Sequence, residues 1–235
     1  MRLDRYLVDN EIVDSRTKAQ NIIKKSLVSV NGVIVKKPSY SLAESDEVII
    51  AEYKNYVSRS AHKLAYFLEE LSLDISDAIA LDIGSSTGGF TQVLLENNVK
   101  EVSAVDVGKE QLHISLKTDK RVFSYESCDI RKFESEKSFN LVVSDVSFIS
   151  LHYILNDVQR LATDKIILLF KPQFEVGKDV KRDKNGVVVD KKAIANAMQR
   201  FEDATKLLGW KFVVKSPSKL TGKEGNLEYC YYFEK

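Results

Sequence analysis

Cysteine, histidine and long apolar runs are all scarce in this chain, and each shortage removes a class of function. Cys128 and Cys230 are its two cysteines. They are too few and too far apart for a disulfide framework or a cysteine-rich zinc site, which points to a reducing compartment. The three histidines, His62, His113 and His152, are equally scattered and lack the carboxylate spacing of a metal centre. No metal is expected, and His113 and His152 read as ordinary helix residues. No apolar run approaches the ~20 residues of a membrane span. Met1-Arg2-Leu3-Asp4-Arg5-Tyr6 lacks the apolar core of a signal peptide. A cytoplasmic protein with no membrane contact is expected. A formal net charge of +1 excludes a protein-wide basic field, so any nucleic-acid site must be a local face. Ser147 and Ser150 stand outside any G-x-S-x-G setting, which argues against a hydrolase elbow.

What is present is ordinary globular material: 235 residues, 44% hydrophobic and 29% charged. That is enough for one large domain and a small one. Residues 1–52 form the small unit. Leu3, Tyr6, Leu7 and Val8 share one helical face. Ser15 is placed to cap a helix over Arg16–Lys25, whose Ala19, Ile22 and Ile23 line one side. Then the period changes. Val28-Ser29-Val30 and Val33-Ile34-Val35 alternate around Asn31-Gly32, a strong hairpin signal. Val48-Ile49-Ile50 closes the unit as a further strand. Residues 53–57 read as a linker.

From 58 to 235 helical and extended patterns alternate. Leu64, Phe67, Leu68 and Leu71 recur at helical spacing. Strands are expected at 79–83, 102–105, 122–125, 141–143 and 166–170, with helices over 90–96, 111–117, 151–161 and 193–208. Two final strands, 211–214 and 229–233, are expected to form an antiparallel hairpin at one edge. Such βαβ alternation predicts a doubly wound, mainly parallel sheet. Pro172–Asp190 is charged and aperiodic, and a loop of that length in a compact domain is usually functional. Trp210 is expected to pack at a strand start.

Asp82-Ile83-Gly84-Ser85-Ser86-Thr87-Gly88-Gly89-Phe90 follows the first strand of this domain and opens a helix. Glycines there let the backbone approach a ligand, and the helix start favours negative charge. The spacing is not G-x-G-x-x-G, which weakens a dinucleotide reading. A nucleoside carrying an amino acid needs only a small turn of this kind. Asp82, Gly84, Ser86, Gly88, Gly89 and Phe90 are therefore candidate cofactor residues. Asp106, ending the next strand, can accept both hydroxyls of a ribose. Asp129, after the third strand, can accept from an adenine amino group or simply cap a turn, and the two readings stay balanced.

Four charges stand at places with a poor structural excuse. Asp145 ends the run Leu141-Val142-Val143-Ser144, and Lys171 ends Ile166-Ile167-Leu168-Leu169-Phe170. Glu228 opens Tyr229-Cys230-Tyr231-Tyr232-Phe233, and Lys63 lies on the domain's first helix. In open α/β sheets ligands bind at the carboxyl ends of the strands. Taken singly, each residue fits a buried structural ion network. Converging beside a glycine loop, the four favour methyl transfer onto a ribose hydroxyl. The hydroxyl must lose its proton as it attacks, and a buried lysine beside a second cation is suited to take it. Lys171 held by Asp145 fills that role, with Lys63 and Glu228 completing the cluster. Glu175 and the basic run Lys178–Lys184 fit a solvated lid or an RNA-facing loop better than catalytic groups.

These residues resemble the TlyA family of bacterial rRNA 2′-O-methyltransferases, and the likeness spans nearly the whole chain. In the small unit it is carried by Arg2-Leu3-Asp4, Ser15-Arg16-Thr17-Lys18-Ala19 and Val28-Ser29-Val30-Asn31-Gly32, which resemble an S4-type RNA-binding module. In the large domain it is carried by Tyr56-Val57-Ser58-Arg59, by the glycine loop, and by Asp145-Val146-Ser147-Phe148-Ile149-Ser150-Leu151. Phe170-Lys171-Pro172-Gln173-Phe174-Glu175 and Gly225-Asn226-Leu227-Glu228-Tyr229 complete the FtsJ-like pattern. The resemblance implies a class I, Rossmann-like methyltransferase with a mainly parallel seven-stranded sheet behind the small α+β module. It implies S-adenosylmethionine as cofactor, held by Asp82, Gly84, Asp106 and Asp129, and a K-D-K-E tetrad at Lys63, Asp145, Lys171 and Glu228. The partner implied is rRNA or a ribosomal subunit, with Arg5, Arg16, Lys18, Lys24, Lys25, Lys36, Lys37 and Arg59 as RNA-facing cations. The chain is expected to act as a monomer.

The chain departs from the family pattern in two places. Ser60-Ala61 stands where two glycines are usual, which implies a stiffer linker, and Asp129 stands where asparagine is usual. The chain resembles the shorter family members, associated with a large-subunit cytidine only. Family members are also named hemolysins, but no basic amphipathic helix of the membrane-active kind is evident. A non-catalytic ribosome-assembly factor would be expected to have lost a tetrad residue, and none is lost.

Overall fold

The hydrophobic period switches from helical to alternating at Val28, and the backbone follows it. The N-terminal unit of this computed structural model, Met1–Asn55, is built from α1 (Leu3–Asp9), α2 (Arg16–Lys24), β1 (Val28–Val30), β2 (Val33–Ile34) and β3 (Val48–Ile50). Residues 1–51 and 56–235 are described. The Ser15 side chain accepts from Lys18 N at 3.3 Å, capping α2. Asn31 and Gly32 both take positive φ, 50° and 78°, as a two-residue hairpin turn of the favoured hand requires. β1 pairs antiparallel with β2 and β3, and β2 ends at Ile34, one residue short of the expected strand. Leu3, Leu7, Ala19, Ile22, Ile23 and Val28 close a small core.

One charge lies inside this unit. Asp4 is fully buried. Its carboxylate accepts from Arg2 Nε and Nη2, both at 2.9 Å, from Arg16 Nε at 3.1 Å and from Gln20 Nε2 at 3.2 Å. The Arg2 fork holds this carboxyl well below the usual carboxylate range, with Gln20 and Arg16 adding to the effect.

The second unit, Tyr56–Lys235, opens with α3 (Ser60–Leu71) and β4 (Ile79–Ile83). α4 (Gly89–Glu96), β5 (Glu101–Val105), α5 (Ile114–Lys117), β6 (Val122–Tyr125), β7 (Phe139–Ser144), α6 (Leu155–Leu161) and β8 (Ala162–Phe170) follow. α7 (Pro172–Glu175), α8 (Lys191–Leu207), β9 (Lys211–Pro217) and β10 (Tyr229–Glu234) complete it. The seven strands lie in the order β6-β5-β4-β7-β8-β10-β9. All neighbours are parallel except β10, which runs antiparallel to both β8 and β9. This is the mainly parallel seven-stranded sheet expected, with the final hairpin at one edge.

β7 and the second half of β8 are apolar on both faces because both faces are covered. Leu81, Val142, Ile166 and Leu168 point into one core with Phe201 of α8. Ala80, Leu141, Val143 and Ile167 point into the other with Leu64 of α3 and Leu94 of α4. Trp210 is buried just before β9, and its indole N–H donates to Gln159 Oε1. The chain leaves β4 toward β5 on one side and returns to β7 on the other. The carboxyl ends of β4 and β7 therefore form the topological switch point, where ligands bind in such sheets.

Several expected elements differ, each for a local reason. The helix expected over 111–117 starts only at Ile114. The backbone N–H groups of Glu110, Gln111 and Leu112 are captured by the Glu126 carboxylate at 2.9–3.0 Å. His113 is a cap, its ring nitrogen accepting from Ser115 N. The helix expected over 151–161 breaks into a 3₁₀ turn, Leu151–Tyr153, and α6, because Glu175 and Ser150 hold the first turn. Glu175 is therefore a buried anchor and not part of a solvated lid. Pro172–Asp190 contains α7, with proline in its first turn. The linker expected at 53–57 lies largely outside the described residues, but Tyr56 and Val57 pack into the second core. Ser60 and Ala61 belong to the first turn of α3, not to a linker, and pack against Gly89.

Asp4 yields a first prediction. Its folded-state pKa is depressed, so its contribution is present above the unfolded carboxyl range near 4 and is lost as pH falls through the folded value. Asp4→Asn should speed amide exchange in α1 and α2 at pH 7, and the difference from wild type should shrink below pH 4. Wild-type protection in the variant at pH 7 would refute the clamp.

Candidate active site

Two cavities open at the carboxyl edge of the parallel strands, the first at the switch point, and they share a wall. The first, of about 560 Å³, is lined by Gly84, Ser86, Asp106, Asp129, Asp145 and Phe148, among others. The second, of about 590 Å³, is lined by Lys63, Lys171, Gln173, Arg182, Asn226 and Glu228, among others. Ser147 and Phe148 line both. Phe148 has a positive φ of 65°, is 92% exposed, and leans on Phe174 with ring centroids 5.4 Å apart.

The first cavity is shaped by the turns after β4 and β5. Gly84 has φ 79°, and a Cβ there would lie 3.0–3.2 Å from Val146. The loops after β4 and β7 can thus touch only if residue 84 has no side chain. Asp106 is held by two backbone donors, Ser86 N at 2.8 Å and Gly108 N at 2.6 Å, and keeps lone pairs for further donors. Asp129 accepts from Arg131 through three side-chain contacts and caps the turn Ile130–Lys132. The capping role is thus realised, at a position that also lines the cavity. Arg131 pulls the Asp129 carboxyl down to about 2.

Half of the eight cofactor residues proposed from sequence do not line this cavity. Asp82 is buried beneath the turn and accepts from Thr91 Oγ1 at 2.6 Å. A Cβ on Gly88 would meet Leu112 and Leu116, and one on Gly89 would meet Ser58 and Ser60. Phe90 is buried in the core. The close backbone approach at Gly88 and Gly89 is to protein, so these glycines shape the loop from behind.

The four charges do converge. Lys63 Nζ donates to Glu228 Oε2 at 2.5 Å, and Gln173 Nε2 donates to Glu228 Oε1 at 3.1 Å. Lys171 Nζ lies 2.6 Å from Asp145 Oδ1. It donates to Ser147 Oγ at 2.7 Å and to the Asp145 carbonyl at 3.3 Å. Lys63, Lys171 and Glu228 are all buried. Burial pushes the Asp145 carboxyl up, while Lys171 and then Lys63 pull it back. The two ion pairs therefore sit within electrostatic reach of each other. Cys230, next to this cluster on β10, is no nucleophile: burial pushes its thiol up to about 12.

Sequence reasoning missed the residues that hold these groups. Ser147 was weighed as a hydrolase serine and quoted in a motif, and Gln173 only as part of a motif. A Cβ on Gly222 would lie 2.6 Å from Glu228 Oε1, so that loop glycine makes room for the carboxylate. Glu126 fixes the loop that brings Gln111 to the first cavity. A carboxylate after a strand and a glycine in a charged loop were the available signals.

Among the cations expected to face RNA, Arg5, Lys24, Lys25, Lys36, Lys37 and Arg59 are exposed. Arg16 is exposed but tied to Asp4, and Lys18 pairs with Asp14 at 2.7 Å. Both of those are thus partly engaged within the module.

The strand order, with one reversed strand next to the edge, is that of the class I methyltransferase fold. Residues 56–235 match the family model of FtsJ-like methyltransferases, and residues 1–48 match that of the S4 domain. The chain is 45% identical, over an alignment of 253 positions, to the 23S rRNA (cytidine-2′-O)-methyltransferase TlyA of Campylobacter jejuni, with 100% of both chains covered. It is 37% identical to the 16S/23S rRNA (cytidine-2′-O)-methyltransferase TlyA of Mycobacterium tuberculosis, covering 97% of this chain and 87% of that one. A solved structure of a hemolysin-named protein from Streptococcus thermophilus matches with a TM-score of 0.73 and 33% identity, covering 100% of this chain and 88% of that one. The chain belongs to the TlyA family of FtsJ-like methyltransferases. Among the described residues no helix is long and apolar enough to cross a membrane.

Asp82 supplies a second prediction. Burial raises its carboxyl from 3.8 to about 7. The folded state therefore keeps a proton that the unfolded chain has released. Stability from this group is complete below pH 4 and is lost as pH rises through 7. Asp82→Asn can still accept from Thr91, and it should gain on wild type by roughly 2–3 kcal/mol between pH 5 and pH 8. Parallel stability profiles in urea titrations across that range would contradict the assignment.

Proposed function

We propose that this protein transfers a methyl group from S-adenosylmethionine to the 2′-hydroxyl of a cytidine in ribosomal RNA, in the large subunit. The observation that carries the proposal is the pair of cavities joined at Ser147–Phe148, with the Lys171–Asp145 ion pair between them. The higher identity to the 23S enzyme of C. jejuni supports the choice of subunit.

The first cavity suits the cofactor in size and chemistry. Its volume falls within the range of small-molecule sites. Asp106 and Asp129 are acceptors for hydroxyl and amino groups. Asp145 lines the same cavity, with its Oδ1 already paired to Lys171 at 2.6 Å. Gly84, Ser86, Asp106 and Asp129 would hold S-adenosylmethionine, which when bound supplies an electrophilic methyl group.

The second cavity takes the nucleotide. Lys171 would accept the proton of the 2′-hydroxyl as the methyl group passes from sulfur to oxygen. Asp145 and Ser147 fix the position of that amine. Glu228, held by Lys63 and Gln173, orients the hydroxyl. The exposed Phe148 ring offers a stacking face to the base. The exposed cations of the N-terminal module bind rRNA phosphates.

Nucleoside mass spectrometry of RNA from ribosomal subunits incubated with the protein tests the reaction. 2′-O-methylcytidine is expected, and a methylated base in its place would refute it. Lys171→Ala should lower the single-turnover rate by roughly 10²–10⁴-fold. Lys171→Arg should not restore it, because arginine stays charged in proteins. Both variants should bind cofactor and subunits as wild type does. A near wild-type rate for Lys171→Arg would leave the lysine a purely electrostatic role.

A further inference from the structure

The second cavity holds more positive charge than its ion pairs neutralise. Lys63 is matched by Glu228 and Lys171 by Asp145. Arg59, Arg182 and Lys223 also line the cavity, against one further carboxylate, Glu224. None of these four is ion-paired among the described residues. Arg182 differs from the other two cations. It belongs to the basic run 178–184, whose lysines are exposed, but its own side chain is turned inward and half-buried. Its Nη2 donates to the carbonyl oxygens of Gln173 at 3.2 Å and Gly177 at 2.9 Å. Its Nη1 is buried with no hydrogen-bond partner.

A buried charged donor without an acceptor is costly, and an unpaired group of this kind calls for an explanation such as a missing ligand. The two carbonyl bonds fix the plane of the guanidinium, so Nη1 is held in place. The two N–H groups of Nη1 suit a phosphate oxygen, and an anion would also offset the excess charge. Gln173 lies two residues beyond Lys171. An arginine anchored on its carbonyl lines the same cavity as the group proposed to receive the 2′-proton. In RNA the carbon that bears the 2′-hydroxyl adjoins the carbon esterified to the 3′-phosphodiester.

We propose that Arg182 binds the phosphodiester next to the target ribose and so positions the 2′-hydroxyl at Lys171. This rests on the ribose-methylation reading above. The competing role is a staple, in which Arg182 only fastens Gln173 to Gly177. The two roles differ in one readout, the dependence of substrate binding on salt. A phosphate contact releases a counterion, and a staple does not.

The test compares full-length wild type, Arg182→Gln and Arg182→Lys on purified ribosomal subunits between 50 and 200 mM salt. Arg182→Gln should raise the half-saturating subunit concentration about tenfold and lower the log–log salt slope by about 1. Its cofactor affinity, measured by calorimetry, should not change. Arg182→Lys keeps the charge but not the planar guanidinium held by two carbonyls, so it should restore the slope with only part of the affinity. A wild-type salt slope in a folded Arg182→Gln variant would overturn the phosphate contact, whatever its rate. If wild type itself yields no 2′-O-methylcytidine, the parent reading fails first, so the two failures are distinguishable.

Discussion

Two ion pairs buried at one end of a parallel sheet set the terms for the second unit. Removing a charge from water costs several kcal/mol, and a partner offsets this only when its geometry is well held. Lys63–Glu228 and Lys171–Asp145 meet that condition because four distant segments deliver them to one place. β7 and β8 end side by side, which brings Asp145 and Lys171 together. The reversed strand β10 starts beside the end of β8, with Tyr229 opposite Phe170, and that register carries Glu228 to the same edge. An all-parallel sheet would start its last strand at the opposite edge. α3 supplies Lys63 by packing across β10. The reversal of β10 is thus a requirement of the site as well as a feature of the topology.

The supporting residues follow from the same constraint. Gly222 has no side chain because Glu228 occupies that space, and Gln173 takes the carboxylate oxygen that Lys63 leaves free. Ser147 gives the Lys171 amine a second neutral partner. In the first cavity, Gly84 lets the loops after β4 and β7 meet, and Glu126 draws three backbone N–H groups away from helix formation. Rigid, pre-oriented groups of this kind favour catalysis because little reorganisation remains when substrate arrives. The N-terminal module solves a smaller version of the problem, with Asp4 buried under two arginines.

Most of the sheet was legible from sequence because buried parallel strands are apolar on both faces and end abruptly in charge. Asp145 and Lys171 stood out for that reason. Glu228 was legible through its motif and Lys63 through the tetrad that the family resemblance implies, since neither ends an apolar parallel strand. Effects carried by single side chains across space were not legible. Nothing local in Gln111–Lys117 shows that Glu126 will capture its first N–H groups. Nothing local in Glu175 shows that it will be buried under Leu151. The glycine loop was legible as a turn but not in its detail: Gly88 and Gly89 face leucines and serines, not the cavity. Arg182 was read with its run as part of a solvated lid or an RNA-facing loop, and its inward turn was not legible because it depends on two main-chain carbonyls.

The central claim is that a lysine in this buried cluster takes a proton from a ribose hydroxyl. The pH dependence of single-turnover methylation on ribosomal subunits, at saturating cofactor, tests it most directly. If Lys171 is the base, the rate should climb about tenfold per pH unit until its amine is neutral and then level off. A rate independent of pH across the same range would contradict the account.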